Sequence, residues 1–303
     1  MPYLPVLSNI IGIGNMAVDV FFFFSGLCLS LSAAKHQYLQ IGWREFFKRR
    51  FNRIIIPYLI ICVPYYAWNA ICETGRGALH KAIVFGANLS SVSFWLRGTQ
   101  TTWYVYGIAF FYLLFPLLYR VSVKLDRKKR LCILGGMIGV AILSAYVPIL
   151  KNSMIVWARL PVFTVGMFVG IGQEKMKKIR MADTAVSILV LIALGWVTSA
   201  SEISETFTIP QVYRFLLYLP MTIALLTILS KIGIKSNAFA WIGGLSLEVY
   251  LIHITLLHPV KYYGIMESVG YWLYILLPVL TLCLALPVGR IEKLILGKMD
   301  DRG

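Results

Sequence analysis

The stretch MAVDVFFFFSG, residues 16–26, decides how the rest of the chain is interpreted. It is a run of apolar residues suited to lipid, yet it contains one carboxylate, Asp19. An Asp at the centre of a bilayer costs about 2.5–3.5 kcal/mol on translocon insertion scales. Asp19 therefore either lies at a helix N-terminus near the membrane interface, which favours its charge, or serves as a polar partner inside a helix bundle.

The composition of the whole chain is that of an integral membrane protein. Of its 303 residues, 59% are hydrophobic and 14% are charged, whereas soluble domains are about 25% charged. Apolar runs long enough to cross a hydrocarbon core of about 30 Å recur along the chain. They predict an all-α polytopic membrane bundle of about nine transmembrane helices in a single domain, residues 1–303. The predicted segments are residues 15–34, 54–72, 102–122, 131–149, 155–173, 183–200, 213–230, 240–259 and 270–289.

The basic residues, which give a net charge of +16, concentrate in alternate loops. An example is KLDRKKR at 124–130, after the third segment. The positive-inside rule places these loops and the C-terminus in the cytoplasm, so the charge does not indicate a nucleic-acid partner. With nine segments the N-terminus would lie outside, without a signal peptide or basic anchor. We therefore expect a further first helix upstream of Met1.

The longest external connection, residues 73–101, has an amphipathic pattern. It contains ALHKAIVFGANLSSVSFWLRG at 78–98. Such a segment is expected either to lie on the membrane surface or to re-enter the membrane.

A basic cluster begins the second segment, in FFKRRFNRIIIPYL at 46–59. Arg49 or Arg50 lies three or four residues before Arg53, so two guanidinium groups project from one face of a helix. Paired guanidinium groups suit bidentate capture of phosphates arriving from the cytoplasm. An ordinary positive-inside anchor explains the same pattern without a ligand.

The eighth segment carries polar residues in GLSLEVYLIHITLLHP at 244–259. Ser246, Tyr250 and His253 recur at helical spacing and share one stripe. Glu248 lies about 200° round the helix from Ser246 and should face a different neighbour. An acid within a membrane segment usually marks a functional site or a buried pair, whereas a single His is often only hydrogen-bonded to another helix.

Two further candidates lie in the fifth and third segments. Arg159, in the outer half of WARLPVFTVGMFVG at 157–170, could neutralise Asp19 or Glu248. Trp103 begins an aromatic run typical of a membrane-interface belt. The chain has no Walker A loop, no G-x-S-x-G, no H-E-x-x-H and no metal spacing among its five cysteines, so no metal is expected.

Taken in order, four stretches resemble the acyltransferase 3 family of bacterial membrane O-acyltransferases. GNMAVDVFFFFSGLCLS is similar to the family's Gly, Val-Asp, Phe-Phe, Ser-Gly signature, and RRFNRIIIPYL to its Arg-Arg, Arg, Pro segment. WYVYGIAFFYLLFPLL is similar to its Trp-containing helix, and GGLSLEVYLIHI to its late Ser, Tyr-Leu, His helix. The resemblance covers nearly the whole chain.

The resemblance implies about ten helices in the bacterial inner membrane. It also implies transfer of an acyl group, expected to be acetyl, from acetyl-CoA on the cytoplasmic side to a sugar hydroxyl of a surface or exported glycan. Family members begin with a helix carrying an Arg and, eleven positions on, a His regarded as the catalytic base, and nothing before Gly14 supplies it here. The site residues that the resemblance and the patterns together indicate are Asp19, His253 and Glu248 (catalytic), Arg49, Arg50 and Arg53 (CoA phosphates), and Trp103, Arg159 and Tyr250 (substrate).

An acyl thioester is already activated, so transfer to a hydroxyl needs a base to take its proton and a group to stabilise the oxyanion. Of the four histidines only His253 lies well within a predicted segment. We expect Asp19 to orient or charge-balance a catalytic histidine on the upstream helix. Two other interpretations stay open, a transporter or flippase for a lipid-linked sugar and a truncated, inactive acyltransferase homologue. Release of free CoA from acetyl-CoA separates them.

Overall fold

The computed structural model describes residues 16–98, 101–172, 181–203, 210–232, 241, 243–265 and 272–300. Its longer elements are all α-helices, and this part of the chain contains no β-strand. The helices are α1 (Met16–Lys35), α2 (Tyr38–Ile41), α3 (Arg44–Cys72), α4 (Ala78–Leu89), α5 (Val92–Arg97), α6 (Trp103–Val123), α7 (Arg127–Tyr146), α8 (Pro148–Lys151), α9 (Met154–Trp157), α10 (Leu160–Ile171), α11 (Met181–Ile203), α12 (Gln211–Ile232), α13 (Ser246–Tyr262) and α14 (Leu273–Asp300).

The predicted all-α membrane bundle is confirmed. Seven stretches of the described chain are long and apolar enough to span a membrane: Ala17–Lys35, Arg44–Cys72, Trp103–Val123, Arg127–Tyr146, Met154–Ile171, Met181–Thr198 and Gln211–Ile232. They correspond to the first seven predicted segments. The eighth appears as a shorter apolar helix, Ser246–Val260, and the ninth overlaps the first part of α14. The stretch before residue 16 and the basic loop EKMKKIR at 174–180 lie outside the described residues.

The described residues fall into two compact units, one within 1–43 and 110–234, the other within 44–109 and 235–303. In the first unit, α1 packs along α10 with unusually close backbones. A Cβ atom on Gly26 would overlap the carbonyl oxygen of Phe163, and one on Gly166 would overlap that of Phe23. Small residues allow membrane helices to approach in this way. The close packing fixes α1 against α10, and Asp19 lies in the first turn of α1.

In the second unit, α3 and α13 lie side by side and run in the same direction. Arg53 near the start of α3 contacts Glu248 near the start of α13, and Trp68 near the end of α3 contacts His258. Glu292, in the second half of α14, also reaches Arg53. Segments two and eight therefore run parallel, as alternating membrane crossings require.

The segment after α3 folds back along it. Helix α4 ends at Leu89, whose carbonyl oxygen accepts a hydrogen bond from the Tyr58 hydroxyl at 2.9 Å. Tyr58 lies 14 residues before the end of α3, about 21 Å along the helix axis. The amphipathic pattern left two alternatives open, and residues 78–97 thus adopt the re-entrant one. Tyrosine hydroxyls satisfy the carbonyl groups at the tip of this segment.

Candidate functional site

A buried ion pair occupies the first unit. Asp19, in the first turn of α1, is fully buried, and Arg159, immediately before α10, is 2% exposed. The Asp19 Oδ2 and Arg159 Nε atoms lie 3.6 Å apart. Of the two pairings that the sequence allowed for Arg159, the structure contains the one with Asp19.

The surroundings hold the arginine more firmly than the aspartate. One terminal nitrogen of Arg159 donates to the carbonyl oxygen of Ile155 at 3.0 Å, and its guanidinium carbon lies 4.1 Å from the centre of the Phe215 ring. Neither carboxylate oxygen of Asp19 has a hydrogen-bond partner in another described residue. A buried carboxylate with so little compensation is costly, and such groups are retained at functional sites. The pair can present one acceptor group to a polar reactant or to a histidine.

A second buried cluster lies at one end of the other unit. One terminal nitrogen of Arg53 donates to Glu248 Oε1 at 2.9 Å and also to Glu292 Oε2, and the other donates to the carbonyl oxygen of Gly244. Glu248 and Glu292 are 0% and 1% exposed, whereas the Arg53 side chain is 38% exposed. The arginine thus ties α3, α13 and α14 together.

Glu292 is a member of this cluster that the sequence interpretation missed. It stands between Arg290 and Lys293 just beyond the predicted ninth segment, and an acid among bases directly after an apolar run was the available signal. Burial, together with the hydrogen bond to Glu248, raises the pKa of Glu292 to about 7. A proton on this carboxyl brings the cluster of one arginine and two acids close to neutrality.

The three arginines predicted to contact phosphates have different surroundings. Arg53 is engaged by the two glutamates, and Arg49 forms an exposed pair with Glu45 at 2.7 Å on the same helix. Arg50 is half-exposed and forms no ion pair with the described residues. Arg50 is therefore the member of the trio best placed to accept an external anion.

The residues of α13 face two ways, as the helical spacing predicts. Glu248 points at Arg53, whereas the Tyr250 ring lies 4.9 Å from the ring of Tyr104. His253 is half-buried on the same helix, and Trp103 is half-buried at the start of α6. The structure places His253 and Asp19 in different units. The catalytic and substrate-binding roles of these residues remain predictions.

Three tyrosines form a hydrogen-bonded group that the sequence interpretation also missed. The Tyr106 hydroxyl donates to the carbonyl oxygen of Asn88 at 2.8 Å and lies 2.9 Å from that of Tyr58 and 3.3 Å from that of Tyr66. Tyr66 further contacts Thr102 Oγ1 at 2.8 Å. This group holds the tip of the re-entrant segment and places several hydroxyls inside the second unit.

Comparison with known proteins identifies one match. Residues 2–290 match the model of the acyltransferase 3 family, which is described as an acyltransferase domain. Neither the curated proteins nor the solved structures contain a match to the chain.

Proposed function

Because the chain belongs to the acyltransferase 3 family and is a membrane acyltransferase, we propose that it transfers an acetyl group from acetyl-CoA to a sugar hydroxyl. The acceptor is a glycan displayed at the surface or exported, or its lipid-linked precursor. The protein is a multi-pass component of the bacterial inner membrane with its C-terminus in the cytoplasm, in accord with its base-rich alternate loops.

The observation that carries this proposal is the arrangement of charge at the start of α3. CoA is a polyanion, and arginine is the residue best suited to bind its phosphates through paired N–H donors. Arg50 is half-exposed, and the exposed Arg44 and Lys48 add positive charge to the same turns of the helix. Arg53 anchors the base of this surface through its two glutamates.

The reaction breaks the thioester C–S bond and forms an ester C–O bond. The attacking sugar hydroxyl gives its proton to a base, and the departing CoA sulfur takes up a proton to leave as the thiol. His253 is the described histidine within the membrane region that suits the base near neutral pH. Asp19, which pairs with Arg159 but has no hydrogen-bond partner among the other described residues, offers a buried acceptor group to a polar reactant.

The test uses membranes that contain the native protein from its own cells. Free CoA released from acetyl-CoA is measured with and without polysaccharide extracted from the same cell envelope. We expect release that depends on the polysaccharide. A transporter, a flippase or an inactive homologue would not release CoA. If membranes that contain the intact protein release no CoA when the polysaccharide is present, the proposal is contradicted.

A matched pair of variants tests the donor side. Arg50→Ala removes one charged phosphate contact and should raise the KM for acetyl-CoA about 10- to 100-fold. Arg127→Ala, an exposed arginine at the start of α7, serves as the control and should leave this KM unchanged. Equal KM values in both variants would contradict the assignment of Arg50.

A further inference from the structure

An aromatic cavity lies between α3 and α13 in the second unit, at the end away from Arg53. Its volume is about 310 Å³, at the lower end of the range for ligand pockets. Its lining residues are Tyr65, Trp68, Thr255, Leu256, Pro259 and Tyr263. We propose that this aromatic cavity binds a sugar ring of the acyl acceptor. The proposal rests on the proposed function and assigns its acceptor site.

The rings that line the cavity are held at fixed angles by one another. The Trp68 ring centre lies 6.5 Å from that of Tyr65 and 6.2 Å from that of Tyr263. His258 stands almost perpendicular to both Tyr65 and Trp68, at 88° and 82°. Tyr262 is likewise perpendicular to Trp68, at 87°. The cavity wall is therefore a set of aromatic ring faces whose orientations are fixed by contacts among the rings.

This wall offers flat ring faces on which a sugar ring can stack. The face of an aromatic ring is negative, so the weakly positive C–H groups on one side of a sugar ring pack against it. The hydroxyls of Tyr65 and Tyr263 form hydrogen bonds within the protein, that of Tyr263 with Trp68, so the wall presents mainly ring faces to a ligand. Among the described residues, none that lines the cavity is charged, so the favoured ligand is an uncharged sugar unit.

The position of the cavity fits an acceptor that arrives from the face opposite to the donor. Trp68 lies 15 residues after Arg53 on α3, about 22 Å along the helix. Because α3 and α13 run in the same direction, the far ends of both helices meet here. The positive-inside rule places the Arg53 end in the cytoplasm and the cavity at the outer face.

The experiment measures sugar binding and turnover separately, on native protein in lipid nanodiscs that contain no sugar detergent. The probe is neutral oligosaccharide prepared from the envelope polysaccharide of the producing cells. The key variant is Trp68→Leu, which keeps an apolar side chain but removes the ring, and Trp68→Phe restores a ring. The control is Trp272→Leu, at an exposed tryptophan of the same unit.

We expect Trp68→Leu to weaken oligosaccharide binding and to raise the acceptor KM about tenfold or more. The KM for acetyl-CoA should stay at the wild-type value, which also shows that the variant is folded. Trp68→Phe should recover most of the loss, and Trp272→Leu should behave as wild type. A change at Trp272 equal to that at Trp68 would overturn the inference.

The outcomes separate this inference from the proposed function. Polysaccharide-dependent CoA release with an unchanged acceptor KM in Trp68→Leu overturns the cavity assignment and leaves the function standing. Oligosaccharide binding that is lost in Trp68→Leu, without any CoA release by the wild type, supports the sugar site and contradicts the transferase function. Binding by neither wild type nor variant overturns the sugar site.

Discussion

Replacing Arg53 by Ala is expected to destabilise the protein more than any other single arginine change at the start of α3. The substitution leaves Glu248 and Glu292, which are 0% and 1% exposed, without their cation. Breaking a buried ion pair from one side costs about 3–5 kcal/mol. Because the Arg53 side chain is 38% exposed and water reaches it, we expect the lower end, about 3 kcal/mol.

The assay is thermal unfolding of the purified protein in one lipid or detergent system. A loss of about 3 kcal/mol corresponds to a fall in Tm on the order of 5–10 °C. The matched control is Arg50→Ala, at a half-exposed residue one turn away, which should change stability by about 0.5 kcal/mol or less.

A second-site variant distinguishes an ion-pair cluster from a general packing defect. Adding Glu248→Gln and Glu292→Gln to Arg53→Ala removes the uncompensated charges and should recover much of the lost Tm. A wild-type Tm in Arg53→Ala would refute the reasoning that the two glutamates depend on this arginine. The same reasoning would be refuted if the triple variant unfolded at the same Tm as Arg53→Ala.

Three further substitutions test other parts of the structure. Asp19→Asn removes the carboxylate charge of the buried pair and should abolish acyl transfer while the protein still inserts into membranes; unchanged CoA release would exclude a role for the charge. Gly26→Ala drives a Cβ atom into backbone and should lower stability by at least about 1–3 kcal/mol in thermal unfolding, whereas Gly139→Ala, in open space on α7, should not; equal effects would contradict the close packing of α1. Tyr106→Phe removes the donor to the re-entrant tip and should cost about 1–3 kcal/mol; a loss no greater than that of the exposed Tyr146→Phe would argue against it.

Much of the fold follows from the linear pattern of apolar residues. Each span forms its backbone hydrogen bonds within itself, so length and hydropathy locate a membrane helix without knowledge of its neighbours. That is why the first seven predicted segments match the candidate spans of the structure. Whether residues 78–98 lie on the membrane surface or re-enter the membrane could be decided only from the structure. The answer depends on hydrogen bonds from tyrosine hydroxyls of other helices.

The candidate residues show the same division. The sequence by itself identified Asp19, Arg159 and Glu248 as polar groups out of place in lipid, because the cost of burying a charge is a property of the residue and its segment. It placed Arg53 in the basic cluster that begins the second segment. Only the tertiary structure decided their partners. Glu248 and Glu292 lie 195 and 239 residues from Arg53 along the chain, and Arg159 lies 140 residues from Asp19. Helical spacing tells which side of a helix a residue faces, but which helix lies on that side depends on packing between distant segments. The aromatic cavity between α3 and α13 exists only in that packing.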